Sequence, residues 1–131
     1  MEADDALERL LVEAARRARG NAVSRRSGFS VGAAIQSSDG TIWGGCNIEN
    51  STYGLTVCAE RVAIWKALSE GRRAFTAVAV VTGADEPTPP CGACRQILWE
   101  FAGDVPIVSA TTGGKSKRYW LSEIFPEPFD F

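Results

Sequence analysis

Apolar residues recur along the first part of the chain at helical spacing, with charges between them: Leu7, Leu10, Leu11, Ala14, Ala15 and Ala18. This pattern predicts an amphipathic helix of about four turns, closed by Gly20. A polar, arginine-rich loop leads to Gly28. Residues 29–36 then read as a buried strand, Ser38-Asp39-Gly40 as a turn, and residues 41–48 as the returning strand of a hairpin. Residues 57–70 predict a second helix and residues 75–82 a β-branched, apolar strand. The polar loop 84–90 follows, with a third helix from Cys91 to about Ala102. Residues 105–110 are a further strand, 111–117 a turn, 118–121 a short last strand, and 121–125 a closing helical turn.

The order α-β-β-α-β-α-β, with room for a final strand, fits an α/β fold: a three-layer α/β/α sandwich around a mixed central sheet. No internal repeat, low-complexity tract or linker interrupts it, so residues 1–131 read as a single domain, of ordinary domain size. An enzyme this small often completes its pocket with a neighbouring subunit.

Composition narrows the chemistry. The chain contains no histidine, which removes every mechanism and every metal site that needs imidazole. Its 14 basic residues are scattered and the net charge is −2, which argues against nucleic acid and favours a small neutral substrate. No run approaches the roughly 18 apolar residues of a membrane span. The acidic start MEADDALERL is unlike a signal peptide, so a cytoplasmic protein is expected. In that compartment four cysteines point to metal or catalysis before disulfides.

Two segments carry the chemistry: Cys58-Ala59-Glu60, and Pro90-Cys91-Gly92-Ala93-Cys94. Both fall where a helix is expected to begin, and free N–H groups in a first helical turn favour thiolate over thiol. Cys58, Cys91 and Cys94 are candidate ligands for one zinc ion, leaving one tetrahedral position open for water, as in catalytic sites. The alternative is a closed four-cysteine site that adds Cys46. Glu60 lies two residues past a ligand, where a proton shuttle is needed. Three thiolates on one Zn²⁺ leave a charge of −1, and Arg61 and Arg95 are candidates to offset it by hydrogen bonds to sulfur. C-A-E followed about thirty residues later by P-C-x-x-C is a signature of zinc deaminases acting on nucleobases.

With FSVGAAI, GGCNIENSTYGLTVCAERVAI, KALSEG, PCGACRQILWEF and LSEIFPEPF in order, the chain resembles the small homotetrameric, three-cysteine cytidine deaminases. The resemblance implies hydrolytic deamination of cytidine and deoxycytidine to uridine and deoxyuridine plus ammonia, a pyrimidine-salvage reaction, with one zinc per subunit. It further implies that Phe29 packs on the pyrimidine, that Asn47 and Glu49 bind the ribose 3′-hydroxyl, and that the Ala59 backbone contacts the base. Tyr53, with Ser51 and Thr52, and Phe129 would come from adjacent chains of a homotetramer. Residue chemistry alone puts Tyr53 in the core instead. The family's usual Pro-Tyr-Ser segment is replaced here by the basic loop Ser24-Arg25-Arg26-Ser27-Gly28, which keeps a modified nucleoside such as blasticidin S open as an alternative substrate.

Overall fold

The computed structural model describes residues 5–130; residues 1–4, part of the acidic start, and Phe131 lie outside the described residues. The elements run α1 (Asp5–Arg19), β1 (Val31–Ser37), β2 (Ile42–Cys46), a 3-10 turn (Tyr53–Leu55), α2 (Ala59–Ser69), β3 (Phe75–Thr82), α3 (Gly92–Ala102), β4 (Pro106–Thr111), β5 (Ser116–Trp120) and α4 (Leu121–Ile124). The strands form one sheet in the order β2-β1-β3-β4-β5. Only β3 and β4 pair in parallel, joined through α3; the other three pairs are antiparallel. The sheet is mixed, as the element order predicts.

Strand alternation divides the core into two layers. Ala33, Ile35, Val78, Val80 and Ile107 pack against Ala63, Ile64 and Ala67 of α2 and Leu98 of α3. On the other face Ala34, Ala77, Ala79, Val81, Val108 and Ala110 pack against Leu11 and Ala15 of α1. The apolar face of α1 is narrower than its periodicity suggests, because Leu10 is 60% exposed. On the other side α2 rides directly on β2. A Cβ on Gly45 would lie 2.5 Å from the Ala63 nitrogen and 2.6 Å from the Ala59 carbonyl oxygen. Glycine at this position lets the first turn of α2 seat against the sheet.

The ends of several elements differ from the sequence reading for identifiable reasons. Strands β1 and β2 are shorter than predicted because a side chain takes over the ladder: Asn47 Oδ1 accepts the Val31 N–H and its Nδ2 donates to the Phe29 carbonyl, both at 2.9 Å. Helix α2 begins at Ala59, with Cys58 in the N-cap position. Strand β5 starts at Ser116, because the turn before it is already closed by Thr111 N–H to the Lys115 carbonyl at 2.8 Å. Leu121 opens α4 and is fully buried. Among the described residues no helix is long and apolar enough to cross a membrane.

Candidate active site

Cys58 and Cys91 occupy the N-cap positions of α2 and α3. Their carbonyls accept the first helical hydrogen bonds, from Arg61 and Val62 at 3.1 Å and from Arg95 at 2.9 Å. A serine or aspartate there would turn its side chain onto its own helix; neither sulfur does so. Cys94 lies in the first turn of α3 and is buried. The three Sγ atoms fall within 4.8 Å of one another, and Cys58 and Cys91 are 3.9 Å apart. Zinc–sulfur bonds of about 2.3 Å at tetrahedral angles give a sulfur–sulfur edge of about 3.8 Å. Donor type, number and spacing therefore fit zinc. Cys46, the remaining cysteine, is not among the sulfurs that converge.

The local electrostatics favour charge on one member of this cluster, Cys58. The Cys58 thiol is pulled down to about 5, chiefly by the neighbouring Cys94 thiol and then by the Arg61 guanidinium, against the opposing effect of burial. Cys94 is pushed up in turn, because its proton is held by Cys58 and burial disfavours its thiolate. Three thiols this close cannot all ionise without a compensating cation.

The two arginines expected at the cluster part company. Arg61 Nη2 donates to Cys58 Sγ at 3.3 Å, and its guanidinium lies 5.9 Å from the centroid of the Trp65 ring. Its Nε is buried without a hydrogen-bond partner among the described residues. Arg95 donates instead to backbone carbonyls, through Nε to Pro90 at 2.7 Å and through Nη1 to Ile124 at 2.5 Å. The expected bond from Arg95 to a ligand sulfur is corrected accordingly: this side chain ties the turn before Cys91 to the C-terminal segment.

Glu60 sits in the first turn of α2 and is only 5% exposed. Burial pushes its carboxyl up to about 7, helped by the nearby Cys58 and opposed by its own backbone N–H and by Arg61. A carboxyl so placed exchanges protons near neutral pH.

A cavity of about 280 Å³ joins these groups to the residues implied by resemblance. It lies at the C-terminal end of β3 and is lined by Cys58, Ala59, Glu60 and Cys91 on one side and by Phe29, Asn47 and Glu49 on the other. Backbone lacing explains why the two sides meet. Ile48 and Val57 exchange hydrogen bonds at 2.9 and 3.0 Å, and Val23 pairs with the Asn47 carbonyl and the Glu49 N–H at 3.0 and 2.8 Å. These bonds bring the Asn47–Glu49 segment beside Cys58. The Asn47 carboxamide, already holding β1, keeps one N–H and one lone pair to spare.

Tyr53 and Phe129 lie outside this cavity. Tyr53 is 72% exposed, which corrects its placement in the core, and Arg26 stacks on its ring 5.3 Å from the centroid. Phe129 has an exposed side chain, and its backbone N–H and carbonyl are both held by the Gln96 carboxamide. Thr56, Val57, Thr82, Thr88 and Pro89 also line the cavity and escaped the sequence reading, whereas Ser27 lines it as part of the basic loop singled out there. For Thr88 and Pro89 the position just before P-C-x-x-C was an available signal.

A sequence model of the cytidine and deoxycytidylate deaminase zinc-binding region matches residues 1–110. A cytidine deaminase of Sporosarcina psychrophila is 44% identical over 94% of this chain and 90% of its own. The crystal structure of cytidine deaminase from Burkholderia pseudomallei is similar at a TM-score of 0.89 and 40% identity, covering 92% of this chain and 98% of that one. The blasticidin-S deaminase of Bacillus cereus is 34% identical over 73% of this chain and 74% of its own. With a three-cysteine cluster beside a buried glutamate and these relationships over most of its length, the chain belongs to the cytidine and deoxycytidylate deaminase family of zinc-binding proteins.

Proposed function

We propose that the protein is a zinc-dependent hydrolase that deaminates cytidine and deoxycytidine, giving uridine or deoxyuridine and ammonia, within pyrimidine salvage in the cytoplasm. The observation that carries this reading is the convergence of three sulfurs, two of them from residues lining a cavity, Cys58 and Cys91, beside the buried Glu60 carboxyl that lines it too. Cys58, Cys91 and Cys94 hold the zinc, which when bound supplies the Lewis acidity that makes water nucleophilic near neutral pH. Glu60 takes a proton from the attacking water and passes it to N3 of the base. It then carries a second proton to the amino group leaving C4. The Arg61 guanidinium offsets the excess negative charge of three thiolates.

Phe29 packs on the pyrimidine, and Ala59 offers one of the first-turn N–H groups that a helix leaves unpaired. Asn47 and Glu49 take the sugar 3′-hydroxyl as donor and acceptor. Both being present favours an ordinary pentose over a modified antibiotic nucleoside. Tyr53, with Ser51 and Thr52, and Phe129 complete a neighbouring subunit's pocket in a homotetramer. Exposed Ile48, Leu55 and Trp65, which line one surface groove, support such packing.

Ultraviolet assay of cytidine turnover tests the reading. Activity is expected, is abolished by a zinc chelator and returns with added zinc. Failure to turn over cytidine or deoxycytidine by zinc-loaded protein, with turnover of blasticidin S, refutes it.

A further inference from the structure

We infer that Ser27 is a positioning residue for Glu49, and that its hydroxyl sets how the pocket reads the sugar 3′-hydroxyl. The inference rests on the sugar role proposed above for Glu49. Glu49 belongs to no helix or strand. Its own N–H is tied to the Val23 carbonyl, which fixes its backbone and leaves the carboxylate to be aimed from elsewhere.

That aim comes from the loop before β1. Glu49 Oε1 accepts the N–H groups of Arg26 at 2.9 Å and Ser27 at 3.1 Å, and Oε2 accepts a short hydrogen bond from the Ser27 hydroxyl. The same Ser27 oxygen accepts the Phe29 N–H at 3.0 Å. One hydroxyl thus joins two lining residues of the cavity, the aromatic residue and the acid. Gly28, at φ +69°, makes the reversal between them in a backbone conformation that a side chain would strain.

A carboxylate offers about four lone-pair sites. Two are occupied on Oε1 and one on Oε2, so a single acceptor site remains, on the oxygen that Ser27 orients. That site takes one O–H donor and rejects an ether or a missing hydroxyl. Two of the three donors are backbone groups, so Arg25 and Arg26 stand in this loop without loosening the clamp. The hydroxyl is the one donor that depends on side-chain identity.

Steady-state kinetics with 2′-deoxycytidine and 2′,3′-dideoxycytidine test the inference on wild type, Ser27→Ala, Ser27→Thr and Glu49→Ala. For 2′-deoxycytidine, Ser27→Ala is expected to raise KM about tenfold with kcat held within about threefold, and Ser27→Thr to restore it. For the dideoxy substrate, Ser27→Ala is expected to raise KM by clearly less than for 2′-deoxycytidine, the remainder coming from the Phe29 N–H that the hydroxyl also accepts. An equal loss on both substrates, or a loss confined to kcat, overturns the role of Ser27. If Glu49→Ala loses discrimination between the substrates while Ser27→Ala keeps it, Ser27 alone is refuted. If Glu49→Ala discriminates as well as wild type, the sugar role of Glu49 falls with it.

Discussion

At one end of the cavity the reacting groups are fixed by helix geometry; at the other they are fixed by hydrogen bonds between loops. Cys58, Glu60, Cys91 and Cys94 sit in N-cap or first-turn positions of α2 and α3, and both helices are pressed onto the sheet through buried alanine, isoleucine and leucine. Glu49, Ser27 and Arg26 sit on segments outside any helix or strand and are held across the pocket mouth by two backbone N–H groups and the Ser27 hydroxyl, all donating to the Glu49 carboxylate. A shift of one residue in a first helical turn would rotate a ligand by about 100°, so the chemical end tolerates little change. The mouth can exchange side chains as long as its backbone donors and the Ser27 hydroxyl stay in place. The difference suggests a division of labour: core-backed helix starts for bond breaking, adaptable loops for substrate choice.

Substitutions at the two ends are expected to differ in kind as well as size. Cys94→Ala removes a buried donor; zinc is expected to fall well below one per chain, and activity to fall below detection with it, as metal analysis beside the ultraviolet assay would record. Wild-type zinc content in that variant would break the account of the rigid end. Glu60→Gln keeps the shape and loses the proposed proton carrier, so kcat is expected to drop by about 10²–10⁴ with zinc unchanged. Arg61→Gln withdraws the donor to Cys58 Sγ, and a loss of about 10- to 100-fold in zinc affinity or turnover is expected in chelator competition and kinetics. The smallest effect belongs to the mouth. Arg26→Ala removes an exposed stack on Tyr53 of the kind that contributes about 0.5–1 kcal/mol. Its backbone N–H to Glu49 is retained, and KM is expected to change by less than about fivefold. A large kcat loss there would show that the two ends are not separable.

The same contrast governs what the chain's letters disclose. The metal end is legible because its information is local: C-A-E and P-C-x-x-C fix ligand spacing within single helical turns. The mixed sheet is legible because alternating apolar residues and turn signals mark each strand. What reading along the chain misses depends on long side chains and on loops meeting in space. Arg95 follows Cys94 directly, yet its guanidinium reaches past the sulfurs to carbonyls at Pro90 and Ile124. Tyr53 carries an apolar ring, but burial of apolar residues is a one-way rule, and here Arg26 covers one face at the surface. Asn47 is identified as a pocket residue only by resemblance. Its second task, replacing a stretch of β ladder, has no signature in the order of residues.

X-ray absorption at the zinc edge of the purified protein tests the central claim most directly. The expected result is one zinc per chain with three sulfurs at about 2.3 Å and one lighter atom at about 2.0 Å. Four sulfurs around the metal would close the position that water needs, and would contradict the account.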